Sequence, residues 1–494
     1  MRGAASNDAP PLPVQRNSLG QGNKSGWFTR DSTSNENFTE PSQTSSFFAK
    51  PRSIGSVLAY LLSAVRGGVD SPAMSETAST RDWTFRDAGR PALPLRLLNA
   101  VGRLAPHQPS LKPDSLIETA VEKTGLSDFG GDEFREALEV LCDSLNREAN
   151  LHTFGRMAQR KMLIGILESR LQLFDWAARH PEVRDERIAP PIIVLGLPRT
   201  GTTLLSHLLD LDPRTRSLRQ WEAGAFAPPP QLATRDEDPR LAAAIAQEKQ
   251  LAQLIPPLPA MHPLGATLPT ECVPLHMLDF RSLGHETQAL VPSYGSWLER
   301  CDMRSAYAVH KLALQTLQST IPTGRWALKT PNHLWALETL HEFYPDATLV
   351  WTHRDPARVV PSVASLNTAF HRTFTRNVDP NEVGRHWSRK LLHALNCGME
   401  WDDQRGNKDW CQHVLYEDLM RDPIGAVRGI YAYAGEELDP LHEALMLAYI
   451  ENRPQNAFGR HRYDMNDFEM TTESIDEAFG SYSARYEVPR ETRD

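Results

Sequence analysis

The sequence predicts a three-layer α/β sandwich, in which helices cover both faces of a central parallel sheet. A short apolar run, Ile192–Leu195, lies between proline and glycine, as buried parallel strands often do. A glycine-rich turn and a helical pattern over Thr202–Leu211 follow directly. The same order recurs, since strand-like runs at 326–329, 348–352 and 414–416 each precede a helical segment. Those helices are predicted over 332–343, over 356–367 and beyond Pro423.

Composition divides the chain into three predicted regions. Ser, Thr, Asn, Gln, Pro and Gly supply 28 of the first 50 residues, which leaves too little apolar material to offset ordering entropy. Residues 1–75 are therefore predicted to be a disordered or weakly ordered extension, with Met74 as a second plausible start. Residues 76–188 are predicted to be helical, because apolar residues such as those in Phe134–Leu145 recur at helical spacing. Residues 189–494 are predicted to form the sandwich domain.

Charge and cysteine usage exclude several classes of partner. Of 494 residues, 53 are Lys or Arg and 62 are Asp or Glu, for a net charge of −9. This balance disfavours nucleic acid and anionic membranes as partners, so any anion site must be built locally. Five scattered cysteines without a CxxC pair disfavour a disulfide framework and a structural zinc site, and predict a cytoplasmic location. The apolar run at 57–65 is too short for a transmembrane segment.

The strongest motif is the loop Gly196–Thr203 (GLPRTGTT), between a predicted strand and a predicted helix. Backbone N–H groups in such a loop converge on an anion, and the helix N-terminus adds partial positive charge. The spacing is that of a phosphate-binding loop, but Thr202 replaces the expected lysine and Arg199 supplies the cation. The loop therefore predicts an anion less charged than a triphosphate, bound without magnesium. A magnesium-dependent kinase or nucleotidase, with Asp355 as the metal-holding acid, is the alternative.

A second anion position is predicted at Arg354, at the carboxyl end of another strand, with Ser362 eight residues later. An arginine fork and a hydroxyl at this spacing can hold a second phosphate. Ligands of parallel sheets collect at the carboxyl ends of the strands, so both positions are expected at one edge. The alternative is that Arg354 pairs with a local carboxylate.

These motifs resemble the sulfotransferases that use 3′-phosphoadenosine 5′-phosphosulfate, and most closely the bacterial branch related to tyrosylprotein sulfotransferases. The specific motifs are Pro198–Thr203 and Arg354 with Ser362, and Leu328–Pro331 accompanies them. The resemblance runs from roughly Thr124 to Tyr486 and implies a P-loop-like sandwich. Supporting motifs are Gly125–Gly130, Trp221–Glu222, His262–Pro263, Glu271–Cys272 and Tyr416–Leu419.

The resemblance also implies how the co-substrate is held. Arg354 and Ser362 would hold its 3′-phosphate, and Tyr416 and Arg460 are further candidate contacts. No metal is expected, because a phosphosulfate donor needs none. The residues implied for the 5′-phosphosulfate are Arg199, Thr200, Gly201, Thr202 and Thr203.

The chemistry expected is in-line transfer of a sulfuryl group to an acceptor hydroxyl. Glu222, 23 residues beyond Arg199, is the first candidate for the general base and His262 the second. The alternative for Glu222 is a structural pairing with Arg219. Lys329 and Arg199 would neutralise the developing charge.

The acceptor is predicted only as a class. Apolar residues in loops near the candidate base suit a lipid-like or aromatic alcohol, although the same residues could equally pack the loops. A nucleotide-binding protein without catalysis is a further alternative, which the presence of Glu222 disfavours. The apolar loop residues are Trp221, Phe226, Pro228, Pro229, Pro230, Leu258 and Met261.

Overall fold

The computed structural model describes residues 83–85, 93–102, 108–262, 265–406, 410–452 and 461–491. The predicted N-terminal extension, residues 1–75, lies outside these residues. Within the described part of the chain, no helix is both long and apolar enough to cross a bilayer.

Five strands form one parallel sheet, in the order β3-β4-β2-β5-β6. The central strand β2 pairs with β4 and β5, so that Val194 lies between Lys329 and Val350. The predicted parallel sheet is confirmed. The strand predicted at 414–416 instead ends at Leu415, because Tyr416 begins a helix. The strands are β1 Trp83–Thr84, β2 Ile192–Gly196, β3 Thr215–Ser217, β4 Arg325–Lys329, β5 Thr348–His353, β6 Gln412–Leu415 and β7 His461–Arg462.

Helices precede the sheet and connect its strands. The helix predicted over 332–343 is broken into a 3₁₀ turn, Pro331–Trp335, and a helix from Leu337, because Ala336 between them has φ −130° and ψ 32°. The α-helices are α1 Leu93–Gly102, α2 Pro113–Thr124, α3 Glu133–Arg147, α4 Thr153–Arg179, α5 Thr202–Asp210, α6 Pro239–Leu254, α7 Leu258–Met261, α8 Val273–Met277, α9 Pro292–Leu298, α10 Arg304–Thr320, α11 Leu337–Phe343, α12 Pro356–Phe374, α13 Pro380–Gln404, α14 Tyr416–Arg421, α15 Pro423–Tyr433, α16 Pro440–Glu451 and α17 Thr472–Arg485.

Alternate residues of β2 serve the two faces of the sheet, as the two-residue period of a strand requires. Ile192 and Val194 pack in one apolar cluster with leucines of α5 and with α15. Ile193 and Leu195 pack in a second cluster, which also contains leucines of α3 and α4. The confirmed sandwich therefore has a core on each side of the sheet. The boundary predicted between residues 188 and 189 stays a prediction.

Candidate active site

The glycine-rich loop joins β2 to α5 at the carboxyl edge of the sheet. Gly201, which precedes α5, has φ 88°, and a Cβ there would lie 2.8 Å from Leu419 Cδ2 and 3.1 Å from Tyr416 Cδ2. Only glycine meets both constraints without strain. The first backbone N–H groups of α5, at Thr202 and Thr203, lack intrahelical acceptors because of their position and are available to an anion.

Thr200 stabilises this loop through its side chain. Its Oγ1 donates to the carbonyl of Leu197 at 2.7 Å and shares a 2.6 Å hydrogen bond with Thr352 Oγ1 of β5. The side chain is buried. The hydroxyl is thus turned into the protein, which leaves the backbone N–H of Thr200 as its group for an anion.

The two predicted anion positions meet at Arg199. Its Nε donates to Ser362 Oγ at 3.1 Å, and its Nη1 donates to the carbonyl of Met261 at 2.6 Å. Arg354 Nη1 donates to the Arg199 carbonyl at 2.8 Å. Burial lowers the pKa of Arg199, and the positive Arg354 acts in the same direction. These hydrogen bonds go to neutral acceptors, so a bound anion would compensate a buried charge.

Arg354 also has an anionic partner that the motifs did not reveal. Its Nε and Nη2 donate to the two carboxylate oxygens of Glu491 at 2.7 and 2.9 Å. The guanidinium lies over the Tyr416 ring, 3.8 Å from the centroid. The structure shows the carboxylate pairing of the alternative interpretation, although Glu491 is distant in sequence and not local. Arg354 also lies beside Arg199, and its role in binding a phosphate stays a prediction.

Lys329 ends β4 beside the same loop. Its Nζ lies 3.0 Å from Glu271 Oε1, and its carbonyl accepts from the backbone N–H of Cys272 at 2.8 Å. Burial lowers the pKa of His262 to about 4, with Glu271 opposing this effect and Lys329 and Arg199 adding to it. His262 is therefore neutral at pH 7, and it lies close enough to Glu271, Lys329 and Arg199 for their charges to shift its pKa.

Glu222 has different neighbours. It is only 1% exposed, and its two oxygens accept from Arg216 Nη2 at 2.8 Å and from the backbone N–H of Arg219 at 3.1 Å. Arg216 Nη1 also donates to the carbonyl of Leu317, near the end of α10. The described contacts of Glu222 thus join it to an internal ion pair. The structural alternative holds in modified form, because the ion partner is Arg216 and Arg219 contributes its backbone.

The apolar loop residues are mostly packed inward. Trp221, Phe226 and Leu258 are buried. Met261 forms a small apolar cluster with Leu366 and Ala369 of α12, next to its carbonyl contact with Arg199. The cluster thus lies beside the anion loop.

The C-terminal candidate, Arg460, lies outside the described residues. The residue that follows it is described, and His461 Nε2 lies 2.7 Å from Ser365 Oγ on α12. Two acidic residues that pair with candidate site cations, Glu271 with Lys329 and Glu491 with Arg354, were not assigned a role from sequence. Glu271 stands within a quoted motif, but Glu491 lies 137 residues from Arg354 and carries no local signal.

The fold and this cluster of groups define a P-loop-like α/β protein with a candidate anion site at the carboxyl edge of its sheet. The sequence model of the sulfotransferase family matches residues 190–440, and the chain belongs to this family. The chain is thus a sulfotransferase, an enzyme that transfers a sulfuryl group to a hydroxyl acceptor. The predicted class is confirmed, and the kinase and non-catalytic alternatives are set aside.

Several mycobacterial proteins are similar to the chain. Sulfotransferase STF9 from Mycobacterium avium is 32% identical, with a TM-score of 0.72, and the match covers 79% of this chain and 100% of that one. STF1 from Mycobacterium tuberculosis H37Rv is 31% identical, with a TM-score of 0.68 and coverage of 76% and 100%. Omega-hydroxy-beta-dihydromenaquinone-9 sulfotransferase Stf3 from Mycobacterium bovis is 26% identical over 70% of this chain and 88% of its own.

Proposed function

We propose that the enzyme transfers the sulfuryl group of 3′-phosphoadenosine 5′-phosphosulfate to the hydroxyl of a lipid-like alcohol. One observation carries the proposed donor. Arg199, in the phosphate-type loop, hydrogen-bonds Ser362 and accepts from Arg354, so the two anion positions adjoin each other. A nucleotide with phosphates at both its 3′ and 5′ positions presents two such anions.

In this proposal the loop and Arg354 hold opposite ends of the donor. Backbone N–H groups from Thr200 to Thr203 bind the 5′-phosphosulfate, while Arg354 and Ser362 bind the 3′-phosphate. Tyr416 supports the Arg354 guanidinium from one face. Asp355 is already engaged, because it accepts from the N–H of Ala357 at 3.0 Å and pairs with Arg490 at 3.1 Å. We therefore assign no magnesium to the transfer.

The reaction needs a general base and positive groups that stabilise the negative charge on the transferring and leaving oxygens. The acceptor oxygen bonds to sulfur as the bond from sulfur to the bridging phosphate oxygen breaks, and the acceptor proton passes to the base. Lys329 and Arg199 stabilise charge on the transferring and leaving oxygens. We favour His262 as the base, because it is neutral and lies near both Lys329 and Arg199, although the charges of these two residues oppose its protonation. Glu222 stays the alternative from sequence.

A lipid-like acceptor has two supports. The relative Stf3 is named for a hydroxylated menaquinone. The apolar cluster of Met261, Leu366 and Ala369 lies beside Arg199, where an apolar acceptor would approach the donor. We also propose that the enzyme works in the cytoplasm on a small molecule rather than on nucleic acid. All five cysteines are free thiols, which suits a reducing compartment.

The test is a transfer assay with the labelled donor. The full chain is incubated with hydroxylated polyprenyl quinones, other lipid alcohols and polar sugars, and sulfated products are identified by mass spectrometry. We expect lipid alcohols to be sulfated in preference to sugars, with no product from the Arg354→Ala variant. Sulfation of sugars alone would overturn the acceptor class. Failure to sulfate any acceptor, together with failure to hydrolyse the donor slowly, would overturn the donor.

A further inference from the structure

A second cluster of chemically reactive groups lies under the active site. The Sγ of Cys272 and one ring nitrogen each of His310 and His333 lie within 4.8 Å of one another, and all three residues are buried. The ring of His276 adjoins them, with its centroid 5.2 Å from that of His310 and 5.5 Å from that of His333. One thiol and three imidazoles therefore share one buried space.

Each imidazole in this cluster is held at one nitrogen and unpartnered at the other. The Nδ1 atoms of His276, His310 and His333 hydrogen-bond to Asn332 at 3.2 Å, Tyr344 at 2.8 Å and Tyr307 at 2.6 Å respectively. The three Nε2 atoms are buried without a hydrogen-bond partner. His310 and His333 have the arrangement of metal-binding histidines, because each Nδ1–H can donate to a tyrosine hydroxyl while the other nitrogen faces the ion. His276 reaches the same arrangement if the Asn332 amide is turned, so that its Oδ1, which is buried without a partner, accepts from Nδ1–H in place of the Nδ2 contact.

Without a cation the cluster has no satisfactory arrangement of protons. A protonated Nε2 is a buried donor with no acceptor, and a deprotonated Nε2 is a buried acceptor with no donor. An unpartnered nitrogen alone does not mark a site, since His285 has two and stands outside the cluster. What distinguishes this cluster is that three such residues converge with a thiol.

We propose that Cys272, His310 and His333, with His276 as the fourth ligand, bind one zinc ion. Zinc prefers sulfur and nitrogen ligands in a tetrahedron, at about 2.3 Å for sulfur and about 2.0–2.1 Å for nitrogen. The ligand atoms of Cys272, His310 and His333 already lie within 4.8 Å of one another, whereas His276 adjoins them by its ring and must rotate toward the ion to complete the tetrahedron. Zinc displaces the thiol proton, so the sulfur binds as thiolate.

Burial already provides the right form of the imidazoles. It lowers the pKa of His276 to about 3 and those of His310 and His333 well below the usual value. The neutral ring is the form that ligates. Burial also raises the pKa of the Cys272 thiol to about 12, with the neighbouring Lys329 opposing this effect.

The ion would be structural, and it would join the segments that carry the catalytic lysine and its partner. Cys272 follows Glu271, whose carboxylate pairs with Lys329. His333 lies four residues after Lys329, and His310 anchors both segments to α10. A closed site with four protein ligands leaves no position for a substrate. Zinc would thus fix the distance between the strand end of β4 and the loop that precedes α8.

The experiment is a zinc measurement on the full chain, purified without metal-affinity resin. Elemental analysis should give about one zinc per chain for the wild type and for Cys142→Ser, a matched control because Cys142 is equally buried but outside the cluster. Cys272→Ser and His310→Gln should lose most of it. Cobalt substitution should give a thiolate charge-transfer band in the wild type that Cys272→Ser lacks.

The wild type alone can refute the proposal. It is wrong if the chain carries no zinc as purified and takes up none from an equimolar solution, with the same unfolding temperature in zinc and in chelator. It is also wrong if both cluster variants fold and retain a full equivalent, because the metal then lies elsewhere. Neither result depends on sulfuryl transfer.

Discussion

At the scale of single residues, Arg354 is shared between the proposed phosphate and the chain's own carboxylate. Glu491 occupies both arms of the guanidinium that the 3′-phosphate would need. The donor must therefore displace Glu491 or share Arg354 with it. An ion pair between partly exposed groups contributes about 1 kcal/mol, which corresponds to about fivefold in affinity.

We predict that Glu491→Gln binds adenosine 3′,5′-bisphosphate about fivefold more tightly than the wild type. Isothermal titration calorimetry measures the change. Glu443→Gln, which removes a surface partner of Arg428, serves as the control and should leave the affinity unchanged. Weaker binding by Glu491→Gln would show that this carboxylate supports the donor site instead of competing with it.

The two candidate bases predict different variant behaviour. His262→Asn should lower kcat by about 10²- to 10⁴-fold and leave bisphosphate binding intact, because only proton transfer is lost. Glu222→Gln should lower the free energy of unfolding by about 3 kcal/mol, because it leaves the buried Arg216 without its anion. Steady-state kinetics and urea unfolding separate these effects. If His262→Asn turns over normally while Glu222→Gln is folded but inactive, then Glu222 and not His262 is the general base.

At the scale of elements, the turn from β2 into α5 depends on Gly201. Gly201→Ala forces a left-handed φ on alanine, at about 1–2 kcal/mol, and presses its Cβ toward Leu419. We predict a loss of stability of about that size and weaker bisphosphate binding, as measured by chemical unfolding and calorimetry. Gly480→Ala in α17, where a Cβ meets nothing within 4 Å, should instead stabilise the protein slightly. Equal effects of the two variants would contradict this role for Gly201.

The elements that the sequence predicted well are those determined by local pattern. Buried parallel strands form continuous apolar runs, so β2, β4 and β5 could be located to within one residue. The helix predicted over 332–343 was wrong in its first half, because Pro331 favours a turn and Thr330 caps it by accepting from Asn332. The structure of residues 331–336 is thus determined by this proline and this cap, and the periodicity of apolar residues does not reveal it.

The closeness of the candidate anion-binding residues could be predicted where these residues lie in loops or helices that follow strands. Arg199, Arg354 and Ser362 carry local motifs, and the parallel topology brings them to one edge. The partner of Glu222 could not be read, because both Arg216 and Arg219 lie at plausible spacing. The buried cluster of Cys272, His310 and His333 comes from three separate segments, so no local spacing of cysteines and histidines indicates it.

At the scale of the whole molecule, buried histidines make stability depend on pH. Burial lowers the pKa of His285 to about 3 and that of His371 to about 4, whereas both should titrate near 6.5 when unfolded. Between about pH 6.5 and about pH 4 only the unfolded chain binds these protons, so the folded state loses stability as the pH falls. Each histidine contributes about 1.4 kcal/mol per pH unit.

We therefore predict that the free energy of unfolding in urea is lower at pH 5 than at pH 7. His371→Gln can keep a hydrogen bond to the carbonyl of Glu286. In this variant the free energy of unfolding should depend less steeply on pH, by the amount that corresponds to about one proton. A free energy of unfolding that stays constant or rises on acidification would contradict the assignment of these histidines as neutral in the folded protein.

The most direct test of the proposed donor is a calorimetric comparison of adenosine 3′,5′-bisphosphate with 5′-AMP, on the wild type and Arg354→Ala. If Arg354 binds the 3′-phosphate, the variant should lose at least about tenfold in affinity for the bisphosphate and little for 5′-AMP. Equal losses for both nucleotides, or binding of ATP with magnesium in place of the bisphosphate, would contradict a single nucleotide that spans the two anion positions.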